Sequence, residues 1–290
     1  MFKMSQFNKR KNKIIVTGSE GFVGNHTVSA LEKLGYKVFR YDLKTNYDIR
    51  NIKQLKEVFE ENDKILHLAA IARFAEADKN PKLAFETNIE GTRNIAIIGE
   101  RKNIERICYS STGSVYMPIE QEPPITEDFP VKGNSVYGCS KYIGELYIKE
   151  HKTPYIILRY AHLFGEGKIG HGAIGGFIDR MNRGLAPILY GGQQSNDFTY
   201  IKDIVDANIL ALESDKINET YNIGTGQELT TEEVFNKLKD IFKYNKGFER
   251  LEQRKVDANR FVYDISKAKK LLGYNPKFTF IEGMKDWYKK

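Results

Sequence analysis

Residues 14–24 read Ile-Ile-Val-Thr-Gly-Ser-Glu-Gly-Phe-Val-Gly, and this stretch predicts a strand, a tight turn and the start of a helix. The apolar run Ile14–Val16 is typical of a buried parallel strand. Three glycines follow it at three-residue spacing, at Gly18, Gly21 and Gly24. Glycine lets the main chain adopt a sharp turn and lets a ligand approach the backbone closely.

The helical pattern begins at Phe22 and Val23, among these glycines. The first turn of a helix offers free N–H groups and a positive dipole end, which suit a pyrophosphate. A glycine triplet also fits a tight turn that binds nothing. The turn alone therefore leaves both interpretations open.

Asp42 favours the ligand interpretation. It ends a second predicted strand, at residues 37–41, near the spacing expected for a carboxylate that bonds the ribose hydroxyls of adenosine. Such a carboxylate repels a 2′-phosphate, and Leu43 follows it instead of an arginine. The sequence predicts NAD rather than NADP, although Arg40 and Lys44 place basic groups nearby.

Composition is ordinary for a globular protein of 290 residues, with 41% hydrophobic and 29% charged residues. The formal charge is +7, but the basic residues are scattered along the chain, and the only tight cluster of them lies in residues 9–13. We interpret residues 1–13 as a flexible basic leader and consider a nucleic-acid partner less favoured. Part of the excess charge would attract an anionic substrate.

Two cysteines, Cys108 and Cys139, are too few for a disulfide framework and fit a reduced, cytoplasmic setting. No apolar run approaches the roughly 20 residues that span a bilayer, so no membrane association is expected. The histidines lack metal-ligand spacing, so no metal site is expected either.

Strand and helix patterns alternate through the first half of the chain, which predicts a doubly wound parallel sheet. A third predicted strand, Lys64–His67, leads into Leu68, Ala69 and Ala70, a stretch of mostly small residues where a ligand of such a sheet would lie. A fourth predicted strand, Arg106–Tyr109, leads into three hydroxyl residues, Ser110–Thr112, which fit either turn chemistry or a ligand site. Asn88 interrupts an apolar helix face and should need a buried partner.

Tyr137 and Lys141 lie four residues apart at the start of an amphipathic helix and so share one face. An ammonium beside a phenol favours the phenolate, which can exchange a proton with a substrate hydroxyl. The same spacing recurs at Tyr263 and Lys267, where we regard it as accidental. Because the pair at Tyr137 and Lys141 follows the glycine turn and the hydroxyl-rich strand in the sequence, it indicates a catalytic site.

Together these motifs resemble those of the extended short-chain dehydrogenase/reductases, in particular the NAD-dependent nucleotide-sugar epimerase/dehydratase family that includes UDP-glucose 4-epimerase. The resemblance runs from Ile14 to about Trp287. Further motifs that carry it are Asp48-Ile49-Arg50, His67–Ala70, Asn88 with Gly91-Thr92, Leu158-Arg159-Tyr160, Asp197-Phe198, Tyr221–Gly226 and Leu271–Tyr274.

The resemblance implies a Rossmann-type NAD-binding domain at residues 14–165. It also implies a smaller C-terminal substrate-binding α/β lobe at residues 166–290, from which a segment at about 197–226 returns to the first domain. The implied cofactor-binding residues are Gly18, Gly21, Phe22, Val23, Gly24, Asp42, Asp48, Ile49, Leu68, Ala69, Ala70, Asn88, Ser110, Tyr137, Lys141 and Tyr160.

The implied catalytic residues are Tyr137, Lys141 and Thr112. In the family, the tyrosine removes a sugar hydroxyl proton as hydride passes to NAD, the lysine holds the nicotinamide ribose, and the threonine bonds the same sugar oxygen. The implied substrate-binding residues are Thr112, Tyr137, His162, Asn196, Arg254 and Asp257.

Related sugar 4,6-dehydratases carry an Asp-Glu pair directly after the threonine, where this chain has Gly113 and Ser114. Decarboxylases keep a glutamate at the second position, so both reactions are disfavoured. A 4-epimerase that works through a 4-keto intermediate remains the preferred reaction. A 4-dehydrogenase or 4-reductase with net redox, and a non-catalytic NAD-binding protein, are the alternatives.

The substrate half departs from the family pattern at two positions. His162 stands where epimerases commonly carry asparagine, and Asn196 replaces an arginine that grips the diphosphate. Arg254, with Asp257, matches the second diphosphate arginine. The expected partner is a nucleotide-diphosphate sugar, and the family also implies a homodimer formed by helices at about 81–101 and 137–150.

Overall fold

The structure, a computed structural model, describes residues 13–119, 121–169, 172–253 and 258–288. The chain divides into two compact units. The first unit comprises the chain up to Ser111 together with Ser135–Leu158 and Asn208–Thr220. The second unit comprises Thr112–Asn134, Arg159–Ala207 and Tyr221 onward.

A six-stranded sheet forms the centre of the fold, in the order β10-β5-β4-β3-β1-β2. Its strands are β1 (Ile14–Thr17), β2 (Val38–Tyr41), β3 (Lys64–His67), β4 (Arg106–Thr112), β5 (Tyr155–Tyr160) and β10 (Glu219–Ile223). Strand β1 pairs in parallel with β2 and β3, and β3 pairs in parallel with β4. This arrangement confirms the predicted Rossmann-type α/β fold.

The helices of the first unit follow the predicted alternation. They are α1 (Phe22–Lys33), α2 (Ile52–Val58), α3 (Phe74–Lys79), α4 (Pro81–Phe85), α5 (Thr92–Arg101) and α6 (Val136–Glu150). Strands β1, β3 and β4 are buried along their whole length, because helices that cross over between parallel strands cover both faces of a sheet. The core cluster here includes Ile15, Ile65, Ile95 and Ile107.

One wide helical turn of the π type, Glu86–Gly91, joins α4 to α5. This π-type bulge places Gly91 close to the buried side chain of Ile49, since a Cβ atom at Gly91 would lie 2.5 Å from the Ile49 Cδ1 atom. Such a bulge inside a helix re-aims its side chains. Here the segment contains the buried Asn88.

The second unit has shorter elements. They are β6 (His162–Phe164), α7 (Gly172–Asn182), β7 (Ile188–Tyr190), β8 (Ser195–Asn196), β9 (Phe198–Tyr200), β11 (Leu229–Thr230), α9 (Thr231–Phe242), β12 (Glu249–Leu251), β13 (Arg260–Phe261) and α10 (Phe280–Tyr288). Helix α8 (Ile201–Glu213) runs across the boundary between the two units. Strand β8 pairs with β11 and β13 in a three-stranded sheet.

Lys13, which the sequence pattern places in the leader, is buried, and its Nζ atom lies 3.0 Å from a carboxylate oxygen of Asp63. It therefore belongs to the folded chain. Residues 1–12 lie outside the described part, so their assignment to a leader stays a prediction, as does the predicted domain boundary near residue 165. Within the described residues, no helix is long and apolar enough to cross a membrane.

Candidate functional site

The glycine turn after β1 is closed by direct backbone packing. Gly18 has a φ angle of +69°, and a Cβ atom there would lie 2.7 Å from the Ala69 nitrogen. A Cβ atom at Gly24 would lie 2.1 Å from the Gly18 oxygen, and one at Gly21 would lie 3.2 Å from it. No larger residue fits at Gly18 or Gly24 without moving the main chain, and the space at Gly21 is tight, as a cradle for a dinucleotide pyrophosphate requires.

Helix α1 begins in this turn with Phe22 and Val23, and its N-cap residue Gly21 makes no side-chain capping bond. The first N–H groups of a helix need partners from outside the helix. A dinucleotide pyrophosphate would supply them, so the turn fits the predicted cofactor.

The segment Leu68–Ala70 lies beside this turn, with its backbone packed on Gly18. The main-chain N–H groups of Leu68 and Ala69 both donate to the Thr17 hydroxyl, at 3.2 and 3.3 Å. These bonds tie the end of β3 to the end of β1. The strand ends therefore form one rigid edge.

His67 holds this edge through a chain of hydrogen bonds that the sequence alone does not reveal. Thr92 donates its hydroxyl to the Asn88 carbonyl at 2.7 Å, so its oxygen accepts from His67 Nε2, 2.9 Å away. His67 Nδ1 then accepts from the Thr17 hydroxyl at 2.7 Å. Burial, followed by the charge of Lys141, keeps the pKa of His67 well below its usual value, so this histidine is neutral.

Asn88 has the buried partners that its inward position requires. Its Oδ1 atom accepts from the Ile71 N–H at 2.8 Å, and its Nδ2 atom donates to the Ile71 carbonyl and to Ser140 Oγ. The amide thereby joins the segment after β3 to α6. A cofactor role for Asn88 stays a prediction. In the structure, its amide connects two parts of the first unit.

Asp42 stands at the end of β2, beside the glycine turn. Its carboxylate accepts from the Glu20 N–H at 3.1 Å and from the Lys44 N–H at 3.0 Å. Arg40 is held by two carboxylates, with Nη1 3.2 Å from Glu20 and Nη2 3.1 Å from Glu32. The nearby arginine that could have attracted a 2′-phosphate is thus already neutralised.

Asp48 and Ile49 follow on the loop that leads to α2. Asp48 is engaged by Arg50 through a bond of 2.6 Å, while the Ile49 side chain belongs to the hydrophobic core. Their predicted contact with adenine stays a prediction.

Tyr137 and Lys141 occupy the first turns of α6, which Ser135 caps by accepting from the Gly138 N–H. The Tyr137 ring packs edge-on against Phe74, with centroids 5.5 Å apart. Lys141 is 2% exposed, and its Nζ atom lies 4.1 Å from the centre of the Tyr109 ring. Burial lowers the pKa of Lys141 to about 7, against an opposing effect of Glu145.

Ser110 and Ser111 lie within β4 itself, which extends to Thr112 rather than ending at Tyr109. Ser110 donates to the His67 carbonyl at 3.0 Å. Ser111 donates to the Glu145 carboxylate at 2.5 Å. The hydroxyl residues are therefore anchored to neighbouring elements of the first unit.

The second unit begins with Thr112, the last residue of β4. Its hydroxyl accepts from the Ser114 N–H at 3.2 Å and caps a short 3₁₀ turn. A Cβ atom at Gly113 would lie 2.2 Å from Phe261 Cζ and 2.8 Å from the Tyr263 hydroxyl. The position that carries an aspartate in related dehydratases is thus occupied by the ring of Phe261.

The remaining predicted residues of this unit are dispersed along its strands. Tyr160 ends β5 and is buried. His162 is exposed at the start of β6, and its ring packs between Phe198 at 5.9 Å and Phe261 at 5.4 Å. Asn196 pairs with Phe261 in the β8–β13 register.

An arginine lies next to Asn196 across the β8–β13 pairing, namely Arg260, which pairs with Ser195. Arg260 is engaged by Glu228 at 2.6 Å and by Glu122 at 3.3 Å. Arg254 and Asp257, the other predicted diphosphate contacts, lie outside the described residues.

Comparisons with known proteins agree with this geometry. The model of the "NAD dependent epimerase/dehydratase family" matches residues 14–224, and the chain belongs to this family. It is therefore an NAD-dependent enzyme of the extended short-chain dehydrogenase/reductase type. A Methanocaldococcus jannaschii protein, "Putative UDP-glucose 4-epimerase", is 35% identical over 95% of this chain and 98% of its own length.

Solved structures extend the likeness to the fold. UDP-glucose 4-epimerase of Thermotoga maritima, with UDP-glucose, is 31% identical with a TM-score of 0.88, covering 95% of this chain and 97% of its own. A mutant UDP-glucuronic acid 4-epimerase of Bacillus cereus, in complex with a fluorinated UDP-glucuronic acid and NAD, is 28% identical with a TM-score of 0.88. It covers 96% of this chain and 98% of its own.

The charges around Asp42 predict a preference for NAD+ over NADP+ of about tenfold or more, since a 2′-phosphate would meet Asp42 and Glu20. Calorimetric titration of the protein with each dinucleotide measures this. The Asp42→Asn variant should reduce the ratio of NAD+ affinity to NADP+ affinity. Asp78→Asn, at an exposed position of α3, should leave this ratio unchanged. Equal affinities in the unaltered protein would contradict the prediction.

Proposed function

We propose that this protein is a nucleotide-sugar 4-epimerase that works through a 4-keto intermediate in sugar-nucleotide or polysaccharide biosynthesis. The observation that carries the proposal is the surroundings of Thr112. Phe261 fills the space beside Gly113, and Ser114 offers a hydroxyl instead of a carboxylate. A reaction that needs only hydride transfer and one phenol therefore fits better than dehydration or decarboxylation. The 4-epimerase relatives support the same reaction.

Tyr137 is the proposed base, which takes the proton from the 4-hydroxyl of the sugar and later returns it. Lys141 is proposed to lower the pKa of that phenol through its charge and to bind the nicotinamide ribose. Thr112 would bond the same sugar oxygen. When bound, NAD supplies the hydride acceptor and donor, and the 4-keto sugar must be reduced on its other face to complete epimerisation.

The cofactor would be held by the glycine turn of Gly18, Gly21 and Gly24, by Asp42 at the ribose, and by the edge at Leu68–Ala70. The diphosphate of the substrate is proposed to bind Arg254, with His162 and Asn196 contacting the substrate. Since Asn196 cannot reproduce the bidentate grip of arginine, we expect weaker diphosphate binding than in relatives that keep it.

The test is turnover of UDP-glucose, UDP-N-acetylglucosamine, UDP-glucuronic acid and the dTDP and GDP sugars by the purified protein with NAD+. Chromatography should show interconversion of 4-epimers for one of these sugars, while absorbance at the NADH maximum stays flat after many turnovers. Accumulation of NADH in step with product would instead establish a 4-dehydrogenase. Tight NAD+ binding without turnover of any sugar would establish a non-catalytic NAD-binding protein.

We also propose a homodimer in the cytoplasm. Phe85 on α4 and Leu146 on α6 are 40% and 47% exposed, and these two helices pack against each other. Large apolar side chains exposed on neighbouring helices are typical of a protein interface. The two cysteines are free, which supports a reduced compartment. Sedimentation equilibrium should give a dimer, and a monomer at all concentrations would refute this assembly.

A further inference from the structure

Glu145 is a fully buried carboxylate on α6, with 0% exposure. Ser111 on β4 donates its hydroxyl to Oε1 of this carboxylate at 2.5 Å, and the Lys149 ammonium lies 3.8 Å from Oε2. Burying a charge is costly unless another charge or good hydrogen bonds compensate for it. The burial of Glu145 therefore indicates that its carboxylate has a role other than packing.

The spacing along α6 indicates that role. Tyr137, Lys141 and Glu145 follow each other at intervals of four residues, so they lie along one side of the helix. Lys141 is buried as deeply as Glu145. A buried lysine and a buried glutamate thus occupy the two turns of α6 that follow the turn of the proposed catalytic phenol.

Among the described residues, Tyr109 and His67 are the groups from other elements that interact with Lys141, and both are neutral at neutral pH. Burial raises the pKa of Tyr109 on β4 well above its usual value, and burial lowers that of His67 on β3. The π-type turn presents Asn88, which is an amide. On α6 itself, Lys149 is a further cation on the far side of Glu145. Glu145 is the group that opposes the effect of burial on the pKa of Lys141.

We propose that Glu145, fixed to β4 by Ser111, is a positioning residue that keeps Lys141 charged within the protein interior. This inference rests on the roles proposed above for Tyr137 and Lys141. Without the carboxylate, Lys141 would lose its proton under conditions where the unaltered enzyme is active. The phenol of Tyr137 would then lack the cation that favours its ionised form.

The test is Glu145→Gln, which keeps the shape and the acceptor for Ser111 but removes the charge. NAD+ affinity, measured by calorimetry across pH, should begin to fall at a pH about one unit or more lower than in the unaltered protein. Glu145→Asp keeps the charge, so its pH limit should stay close to that of the unaltered protein. Glu150→Gln, at the exposed end of the same helix, should leave the profile unchanged.

A second readout uses the protein without cofactor or sugar. The ultraviolet difference titration between each variant and the same variant carrying Tyr137→Phe reports ionisation of Tyr137 alone. Glu145→Gln should raise the midpoint of that titration. If the midpoint moves while no sugar is turned over, the inference holds and the proposed function fails.

A purely structural role for Glu145 gives different results. Glu145→Gln would then lower the melting temperature and the activity at every pH without moving either profile, which would overturn the inference. Should this variant fail to fold, Lys141→Met combined with it removes both charges and is expected to fold. Misfolding of the double variant as well would show that the fold needs the Glu145 carboxylate whatever the charge of Lys141, and would also overturn the inference.

Discussion

Replacing Tyr137 by phenylalanine is expected to lower kcat by about a thousandfold, because general acid–base catalysis by one side chain contributes on the order of 10² to 10⁴. The substitution removes only the hydroxyl. The ring keeps its edge-on packing against Phe74 at 5.5 Å, so the start of α6 should stay in place. NAD+ affinity and melting temperature should therefore change little while turnover of the sugar is lost.

Tyr142→Phe provides the matched control, since Tyr142 lies on the same helix and is also partly buried. Its activity should stay near that of the unaltered protein. Epimer exchange is measured by chromatography of the nucleotide-sugars, and dinucleotide affinity by calorimetry. If Tyr137→Phe retains most of its activity, the proton is carried by another group and the assignment of the base is wrong.

Gly24→Ala is expected to abolish dinucleotide binding and to destabilise the fold. The new methyl group would stand 2.1 Å from the Gly18 oxygen and 2.8 Å from the Ser19 Cα atom. These are main-chain atoms, which cannot rotate away as a side chain can. Overpacking typically costs about 1–3 kcal/mol, and a backbone clash should lie at the upper end of that range or above it.

Gly176→Ala is the control for this change. Gly176 lies within α7, and a Cβ atom there meets nothing within 4 Å. Since alanine favours a helix over glycine by about 1 kcal/mol, this variant should be neutral or slightly stabilised. Thermal unfolding and NAD+ titration of both variants give the comparison. Unimpaired dinucleotide binding by Gly24→Ala would show that the turn can open and that its tight packing is not required.

Short strands are predictable where an apolar run is bounded by turn residues and helical patterns. The strand at Lys64–His67 has the predicted bounds, and Val38–Tyr41 differs from its prediction by one residue. The prediction that Asn88 has a buried hydrogen-bond partner is also confirmed, for a different reason. The need of Asn88 for a partner follows from one polar residue on an apolar helix face, although the sequence does not identify Ile71 and Ser140 as that partner.

The features that escape prediction depend on contacts between distant parts of the chain. The bond from His67 to Thr17, the pairing of Arg40 with Glu20, and the bond from Ser111 to Glu145 each join different elements. A single sequence shows that these residues are polar but not which of them meet. Helix α7 likewise begins at Gly172, within a glycine-rich stretch whose composition is typical of a loop.

The packing of Phe261 on Gly113 has a consequence for how this enzyme can evolve. A dehydratase ancestor or descendant needs an acidic side chain at position 113, and here any such side chain collides with an aromatic ring from a strand far along the chain. Neither the acidic residue nor a smaller residue at 261 is useful alone, because the first disrupts the fold and the second leaves a hole. A carboxylate at position 113 would therefore need a second change that makes room at residue 261, which couples the two positions in any change of sugar chemistry.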